Sequence, residues 1–327
     1  MLQQTTNIGL FYKEIQALFN QNKLGTIKTN VRLSECTTLK IGGEVDVFIL
    51  PNSIDALTKT IKILNKYKVR WIVLGRGSNV LIGDFGIRGA VISLKNFRTL
   101  NINQECISVG GGYTLTTLAL KMAKLGLGGL EWACGIPASI GGAVYMNAGA
   151  YGEEISDSIE RVYAINHCGE LVVHQKDELQ FGLRKSIYQN EKLVIYQVDL
   201  KLYRKPTQDI LKKMLKNQNH RKDTQPVGVS SAGSFFFHPP KEFAGKLIEE
   251  ASLKGYRIGN IGISHKHANH VINYGEGNSD EVLRMMYIVN KKLKRLFDMK
   301  LTTEVEFIGE FKSFYDDEYT YNIKRMF

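Results

Sequence analysis

In SSAGSFFFHPP (230–240) a single hydroxyl, Ser234, stands between Gly233 and three phenylalanines. A lone serine usually caps a helix or decorates a turn, and that reading stands until other residues of the right kind appear. Two segments elsewhere could carry chemistry. VLGRGSNVLIGD (73–84) follows an apolar strand with Gly75, Gly77, Ser78 and Asn79 in a tight turn, where glycine lets backbone N–H groups approach a diphosphate. The turn matches neither the G-x-G-x-x-G nor the Walker pattern, so alone it reads equally well as a plain connection. LEWACGIPASIGGAVYMNAGAYG (130–152) packs Gly135, Gly141, Gly142, Gly149 and Gly152 among small residues with Pro137, Ser139 and Asn147. A run so poor in charge lies flat against a large planar ligand, or forms a close-packed buried element.

The elements around these segments alternate. VDVFILP (45–51) and VRWIVLG (69–75) read as buried strands, and between them Ser53 caps a helix with Leu57, Ile61 and Leu64 on one face, a βαβ-like unit. Short strands at AVISL and CISVGGG precede a helix carrying Leu115, Leu118, Met122 and Leu125, which Gly126 stops. A hairpin turning at Cys168-Gly169, a long strand over 192–203 and a helix over 207–220 follow, and Gln225-Pro226 breaks the chain. Two more helices (242–255 and 279–297) and a strand over 301–309 complete an α+β chain.

With 327 residues, two or three domains are expected. The balance of 43 Lys+Arg against 32 Asp+Glu gives a formal charge of +11, which attracts anions: nucleic acid, acidic membrane or phosphorylated small molecules. The cations are dispersed and no stacking or helix-turn-helix pattern appears, which speaks against nucleic acid. Cys36, Cys106, Cys134 and Cys168 contain no CxxC pair, so the expectation is reduced thiols in a cytoplasm, without a metal site. No basic patch followed by an apolar core opens the chain, and no run reaches bilayer length, so no membrane partner is expected.

Taken in order, TTLKIGGEVDVFILP (37–51), GRGSNVL, GIPASIGGAVYMNAGAYG, SAGSFF, AGKLIEEASLKG (244–255) and EVEFIG (304–309) resemble the UDP-N-acetylenolpyruvoylglucosamine reductase family, in its shorter subclass, over nearly the whole chain. The resemblance implies a two-part FAD-binding module of the vanillyl-alcohol-oxidase (PCMH) type with a separate α+β substrate-binding domain: subdomains at 1–95 and 96–220, the substrate domain at 221–310 and an extension at 311–327. It implies that FAD is held by Gly75, Arg76, Gly77, Ser78, Asn79 and Leu81, by Gly135, Ile136, Pro137, Ser139, Gly141, Gly142, Asn147, Gly149 and Ala150, and by Arg221. NADPH supplies a hydride to the flavin, the enolpyruvyl sugar nucleotide receives it at C3, and C2 is protonated. Ser234 matches the family's proton donor, while Arg184 in FGLRKSIY and Glu304 in TEVEFIG match the pair that supports the developing enolate.

By the same resemblance the protein is a monomer. The histidines of SHKHANH (264–270) fall in the family's SEKHANF-like segment, which binds no metal. The chain departs from the pattern at Leu183, where tyrosine is usual, at Phe237 and His238, where lysine and then asparagine or arginine are usual, and more mildly at Ala138, Thr303 and Glu306. Another FAD oxidoreductase on this scaffold with a different acceptor would keep the glycine segments but would not need Ser234, Arg184 and Glu304 together.

Overall fold

The strands β1 (Gly25–Arg32) and β2 (Glu44–Pro51) pair antiparallel in the computed structural model, which describes residues 2–312, with Gly25 opposite Pro51 and Arg32 opposite Glu44. The chain then crosses through helix α2 (Ile54–Lys66) to β3 (Trp71–Val73), turns into β4 (Val80–Ile82) and returns as β5 (Ile87–Ile92). β5 lies parallel to and between β2 and β3, so the first sheet has the order β1-β2-β5-β3. Both faces of this sheet are covered, which is why β2 and β5 read as continuous apolar runs. Val47, Ile49 and Ile92 meet α2 and the long helix α1 (Leu2–Asn22), while Phe48, Ile72 and Val91 meet Leu33, Val80 and Ile82. Leu57, Ile61 and Leu64 of α2 are fully buried, each stabilising by about 1.5–3 kcal/mol. The Ser53 hydroxyl accepts from the Ala56 amide 3.1 Å away and starts the helix where expected. α1, whose mixed polar sequence gives a weak pattern, is an element that periodicity does not announce.

The second lobe is an antiparallel sheet. β6 (Leu100–Asn103) and β7 (Cys106–Gly110) lead to helix α3 (Leu115–Lys124), the short strand β8 (Leu127–Gly128), the one-turn helix α4 (Ile140–Tyr145), and the ribbon of β9 (Gly149–Ala150) with β10 (Glu153–Glu154). β11 (Ile159–Ile165), β12 (Leu171–Gln175) and β13 (Val194–Lys201) then complete the order β12-β11-β13-β7-β6. Leu115, Leu118 and Met122 pack one face of α3 against Trp132 and Ile140, beneath the glycine-rich segment. After β14 (Tyr203–Arg204), helix α5 (Thr207–Thr224) runs past residue 220, so the helical continuity breaks at Gln225-Pro226.

In the third lobe β15 (Ser230–Ser234), β16 (Arg257–Ile258), β17 (Ile261–Ile263) and β18 (His270–Asn273) form a sheet of order β15-β18-β17-β16. It is backed by α6 (Ala244–Glu250) and α7 (Ser279–Phe297), whose Val282, Met286 and Leu293 are buried with Phe235 and Phe307. α7 has the bounds expected from its sequence, with an Asn278–Glu281 capping box and Lys294 and Arg295 in its last turn. α6 is shorter than the 242–255 expected. The Glu249 carbonyl accepts from Ser252, which sits at φ +54° and ends the helix. The strand expected over 301–309 shortens to β19 (Glu306–Ile308), which pairs parallel with β4 of the first lobe, while the residues before it make only an isolated bridge, Thr303 opposite Phe236. Positions 313–327 of the expected extension lie outside the described residues.

Candidate active site

The three lobes face one cleft of about 1090 Å³, at the upper end of the roughly 300–1,000 Å³ usual for small-molecule sites. Its floor is made by backbone. After β3 the chain turns through Gly75, Arg76, Gly77, Ser78 and Asn79, all of which line the cleft. Gly77 is left-handed (φ +62°), and a Cβ on it would lie 2.3 Å from the Cys36 carbonyl oxygen. That carbonyl and the Thr38 amide, which donates to Gly77 O at 3.0 Å, clamp the turn against the loop before β2. On the second lobe Gly135, Ile136, Pro137, Ser139, Gly141, Gly142, Gly149 and Ala150 line the same cleft. The two cradles meet. A Cβ on Gly75 would come 2.7 Å from the Ser139 hydroxyl, which itself accepts from Gly142 N at the start of α4.

Arg221, near the end of α5, also lines the cleft and makes no ion pair with a carboxylate among the described residues. Its stem packs 3.3 Å from where a Cβ on Gly135 would lie. A floor of exposed amides and small residues with an uncompensated guanidinium fits the isoalloxazine and diphosphate of FAD. Leu81 and Asn147, expected to touch the cofactor, do not line the cleft. Leu81 is fully buried in the third-lobe core with Phe235 and Phe307, because β4 alternates and Val80 takes the inward position. The Asn147 amide instead donates to Glu154 Oε2 at 2.7 Å and Gly182 O at 3.0 Å, tying the glycine-rich segment to the turn that carries Arg184.

Arg184, Glu304 and Ser234 come from three separate segments and all line the cleft. Arg184 sits in a left-handed turn (φ +55°) closed by hydrogen bonds in both directions between Gly182 and Lys185. Its Nη2 donates to Gly149 O at 3.0 Å, and its Nε lies 3.0 Å from Glu304 Oε1. Glu304 is held by its backbone, since its amide donates to Phe235 O and its carbonyl accepts from the Asn79 side chain at 3.1 Å. Burial pushes the Glu304 carboxyl above the usual range, and Arg184 offsets only part of that shift. Ser234 is aimed by an irregularity in the β15–β18 pairing: Ser231 faces Ile272, Ser234 faces His270, and the extra residue is absorbed at Gly233 (φ +80°). Among the described residues its hydroxyl has no hydrogen-bond partner.

Several lining residues escape a reading of the sequence. Gly111 and Gly112 line the cleft where β7 ends. A Cβ on Gly112 would fall 1.7 Å from Leu94 O, and the run Gly110–Gly112 was the available signal. Tyr145 donates to Glu306 Oε1 at 2.7 Å, and burial pushes its phenol far upward. Nothing in the spacing announces that pair. The departure at His238 has a local role, since its Nδ1 accepts from Ala244 N at the start of α6. Lys246 is exposed between Glu242 and Glu250, at 3.9 and 3.7 Å, as a solvated helix base.

A glycine-lined dinucleotide cradle shared by two α+β lobes, closed by a third lobe, defines an FAD-dependent oxidoreductase of the vanillyl-alcohol-oxidase fold type. A sequence profile described as "FAD binding domain" matches residues 45–174, and one described as "UDP-N-acetylenolpyruvoylglucosamine reductase, C-terminal domain" matches 225–308. The UDP-N-acetylenolpyruvoylglucosamine reductase of Bacillus licheniformis is 42% identical over 300 residues, covering 91% of this chain and 99% of the relative. The protein of the same name from Bacillus subtilis is 40% identical over 299 residues, 91% of this chain and 98% of the relative. Among solved structures, the UDP-N-acetylenolpyruvylglucosamine reductase of Thermus caldophilus is 34% identical and superposes with a TM-score of 0.75 over 86% of this chain and 99% of its own. This chain belongs to the UDP-N-acetylenolpyruvoylglucosamine reductase family.

Proposed function

We propose that this protein reduces UDP-N-acetylglucosamine enolpyruvate to UDP-N-acetylmuramate, with NADPH as the hydride source, in the peptidoglycan precursor pathway of a bacterial cytoplasm, and that it acts as a monomer. Residues 1–95 and 96–220 form the FAD-binding module in this reading, and 221–310 the substrate domain. The observation that carries it is the convergence of Ser234, Arg184 and Glu304, from positions far apart in the chain, on one cleft floored by the glycine cradles. The glycine cradles around Gly75, Gly77, Gly141 and Gly142, with Arg221, would hold FAD, which would supply the hydride chemistry linking NADPH to C3 of the enolpyruvyl group.

The side chains handle the charge and proton that this leaves. Addition at C3 puts an electron pair at C2, delocalised into the carboxylate. Arg184 keeps a cation at that carboxylate while its own Nε and Nη2 are fixed by Glu304 and Gly149 O, so little reorganisation accompanies charge development. Ser234 Oγ gives its proton to C2. An ordinary alcohol is a poor acid, but contact with a carbanionic enolate in a closed site makes the transfer favourable. Glu304, buried and shifted toward its neutral form, hydrogen-bonds the same end of the substrate.

The test is anaerobic stopped-flow absorbance of the purified yellow protein. NADPH should bleach the oxidised-flavin band, and subsequent addition of UDP-N-acetylglucosamine enolpyruvate should restore it with formation of UDP-N-acetylmuramate. Bleaching without recovery would point instead to an FAD oxidoreductase with another acceptor.

A further inference from the structure

His270 is a buried group to which the reaction just described gives no task. It is 4% exposed, it lines the catalytic cleft, and its Nε2 is a buried polar atom without a hydrogen-bond partner. An orphaned ring nitrogen in a protein interior carries a desolvation penalty, so its retention calls for an account. Its place in the sheet supplies one. His270 opens β18 and stands directly opposite Ser234 at the end of β15. Directly opposed residues of an antiparallel pair project from the same face with Cβ atoms about 4.5–5.5 Å apart. The irregularity at Gly233 brings this register about, since an unbroken ladder from Ser231 opposite Ile272 would leave Ser234 one position out of step with His270.

We infer that His270 is a positioning residue for Ser234: once substrate is bound, its ring donates a hydrogen bond from Nε2–H to the Ser234 oxygen while the hydroxyl proton points at the substrate, a contact that the shared register prepares and that neither atom makes in the free structure. This inference rests on the role proposed above for Ser234. The atoms balance simply. As the Ser234 O–H bond breaks and the proton passes to C2, negative charge grows on the serine oxygen and the imidazole N–H stabilises it. The imidazole keeps its own proton throughout, and solvent reprotonates the serine after product leaves.

The surroundings keep the ring in the form this requires. His267 packs edge-on at 4.9 Å between ring centroids, and Asn269 N donates to its Nδ1 at 3.2 Å. Burial first, then His267 and Arg221, push the His270 pKa down to about 3, so the ring is a neutral donor at any pH at which the protein works.

Two measurements test this. His270→Phe should slow the flavin-reoxidation half-reaction by about 10-fold or more, with NADPH bleaching unaffected and a larger solvent deuterium isotope effect on reoxidation, whereas His270→Gln, which retains an N–H donor, should recover part of the rate. Independently of turnover, ¹⁵N-histidine NMR of the oxidised protein with the enolpyruvyl sugar nucleotide bound should find His270 as the neutral Nε2–H tautomer at pH 7, with its Nε2 resonance moved by Ser234→Ala. A His270 resonance indifferent to Ser234→Ala in that complex would overturn the inference. Should Ser234→Ala itself leave product formation intact, the proposed function of Ser234 fails first, and the two failures are told apart by that variant.

Discussion

The Arg184 guanidinium and the Glu304 carboxylate, 120 positions apart in the chain, meet at 3.0 Å between Nε and Oε1 in the wall of the cleft. The contact spends one edge of the fork on the protein and holds the plane of the guanidinium, while Gly149 O fixes a second nitrogen at 3.0 Å. Lysine cannot reproduce this, because a point charge with three rotating donors has no plane to fix. Arg184→Lys should therefore lower the rate of flavin reoxidation by the enolpyruvyl substrate by about 10²–10³-fold, the usual cost of a displaced charge-stabilising donor, while bleaching by NADPH changes little. Single-turnover kinetics of the two half-reactions separate these outcomes, and equal slowing of both would assign Arg184 to cofactor binding.

Ser234→Ala should leave NADPH-driven bleaching nearly intact and abolish recovery. Ser234→Cys, which keeps an acidic proton on a longer bond, should retain a measurable recovery rate. Equal loss of both half-reactions in the alanine variant would remove the serine from the role of proton donor.

Cofactor retention is expected to fail at one glycine and survive at another of similar backbone strain. Gly77→Ala forces a Cβ to 2.3 Å from Cys36 O, in addition to about 1–2 kcal/mol for a left-handed residue. The turn must shift, and the protein should purify pale. Gly152 is also left-handed at φ +81°, but a Cβ there meets nothing within 4 Å. Gly152→Ala should pay only the backbone strain and purify yellow, as judged by the ratio of flavin to protein absorbance.

The depressed His270 pKa makes an acid-stability prediction whose sign follows from proton binding. The folded state refuses a proton down to about pH 3, whereas the unfolded chain takes it up near pH 6.5. Below about pH 6.5 the unfolded state therefore binds more protons, and stability falls with acidification by up to about 1.4 kcal/mol per pH unit from this residue. Urea unfolding at pH 7 and pH 5.5 should find a smaller loss in His270→Phe than in the parent protein. An unchanged loss would mean that the ring is protonated in the native state.

Much of the architecture was legible wherever a single element carried its own signals. α7 was readable because its Asn278–Glu281 box, its periodic apolar face and its terminal charges all agree. The hairpin at Cys168-Gly169 was readable for a related reason: Asn166 Oδ1 accepts from both Cys168 N and Glu170 N in a tight local turn. Features that depend on distant partners were not. The strand expected over 301–309 is cut to the three residues that pair with β4, more than two hundred positions away. Leu81 looked like part of a phosphate-binding turn, but the pleat that brings Val80 to the cleft sends Leu81 to the other core. The pairing of Tyr145 with Glu306, and of Ser234 with His270, is decided by register between strands and helices that no local spacing encodes.

The parallel pairing of β19 with β4 bears on biosynthesis. Glu306 lies against Val80 and Ile308 against Ile82, so the strand leaving the first cofactor-binding turn has its partner among the last described residues. A ribosome that has emitted the first two lobes has released both glycine cradles but neither Glu304 nor the strand that follows it. A nascent chain stalled before residue 304 would thus present the glycine cradles with an open wall, and the wall closes in one step once residues 304–308 have emerged and paired with β4.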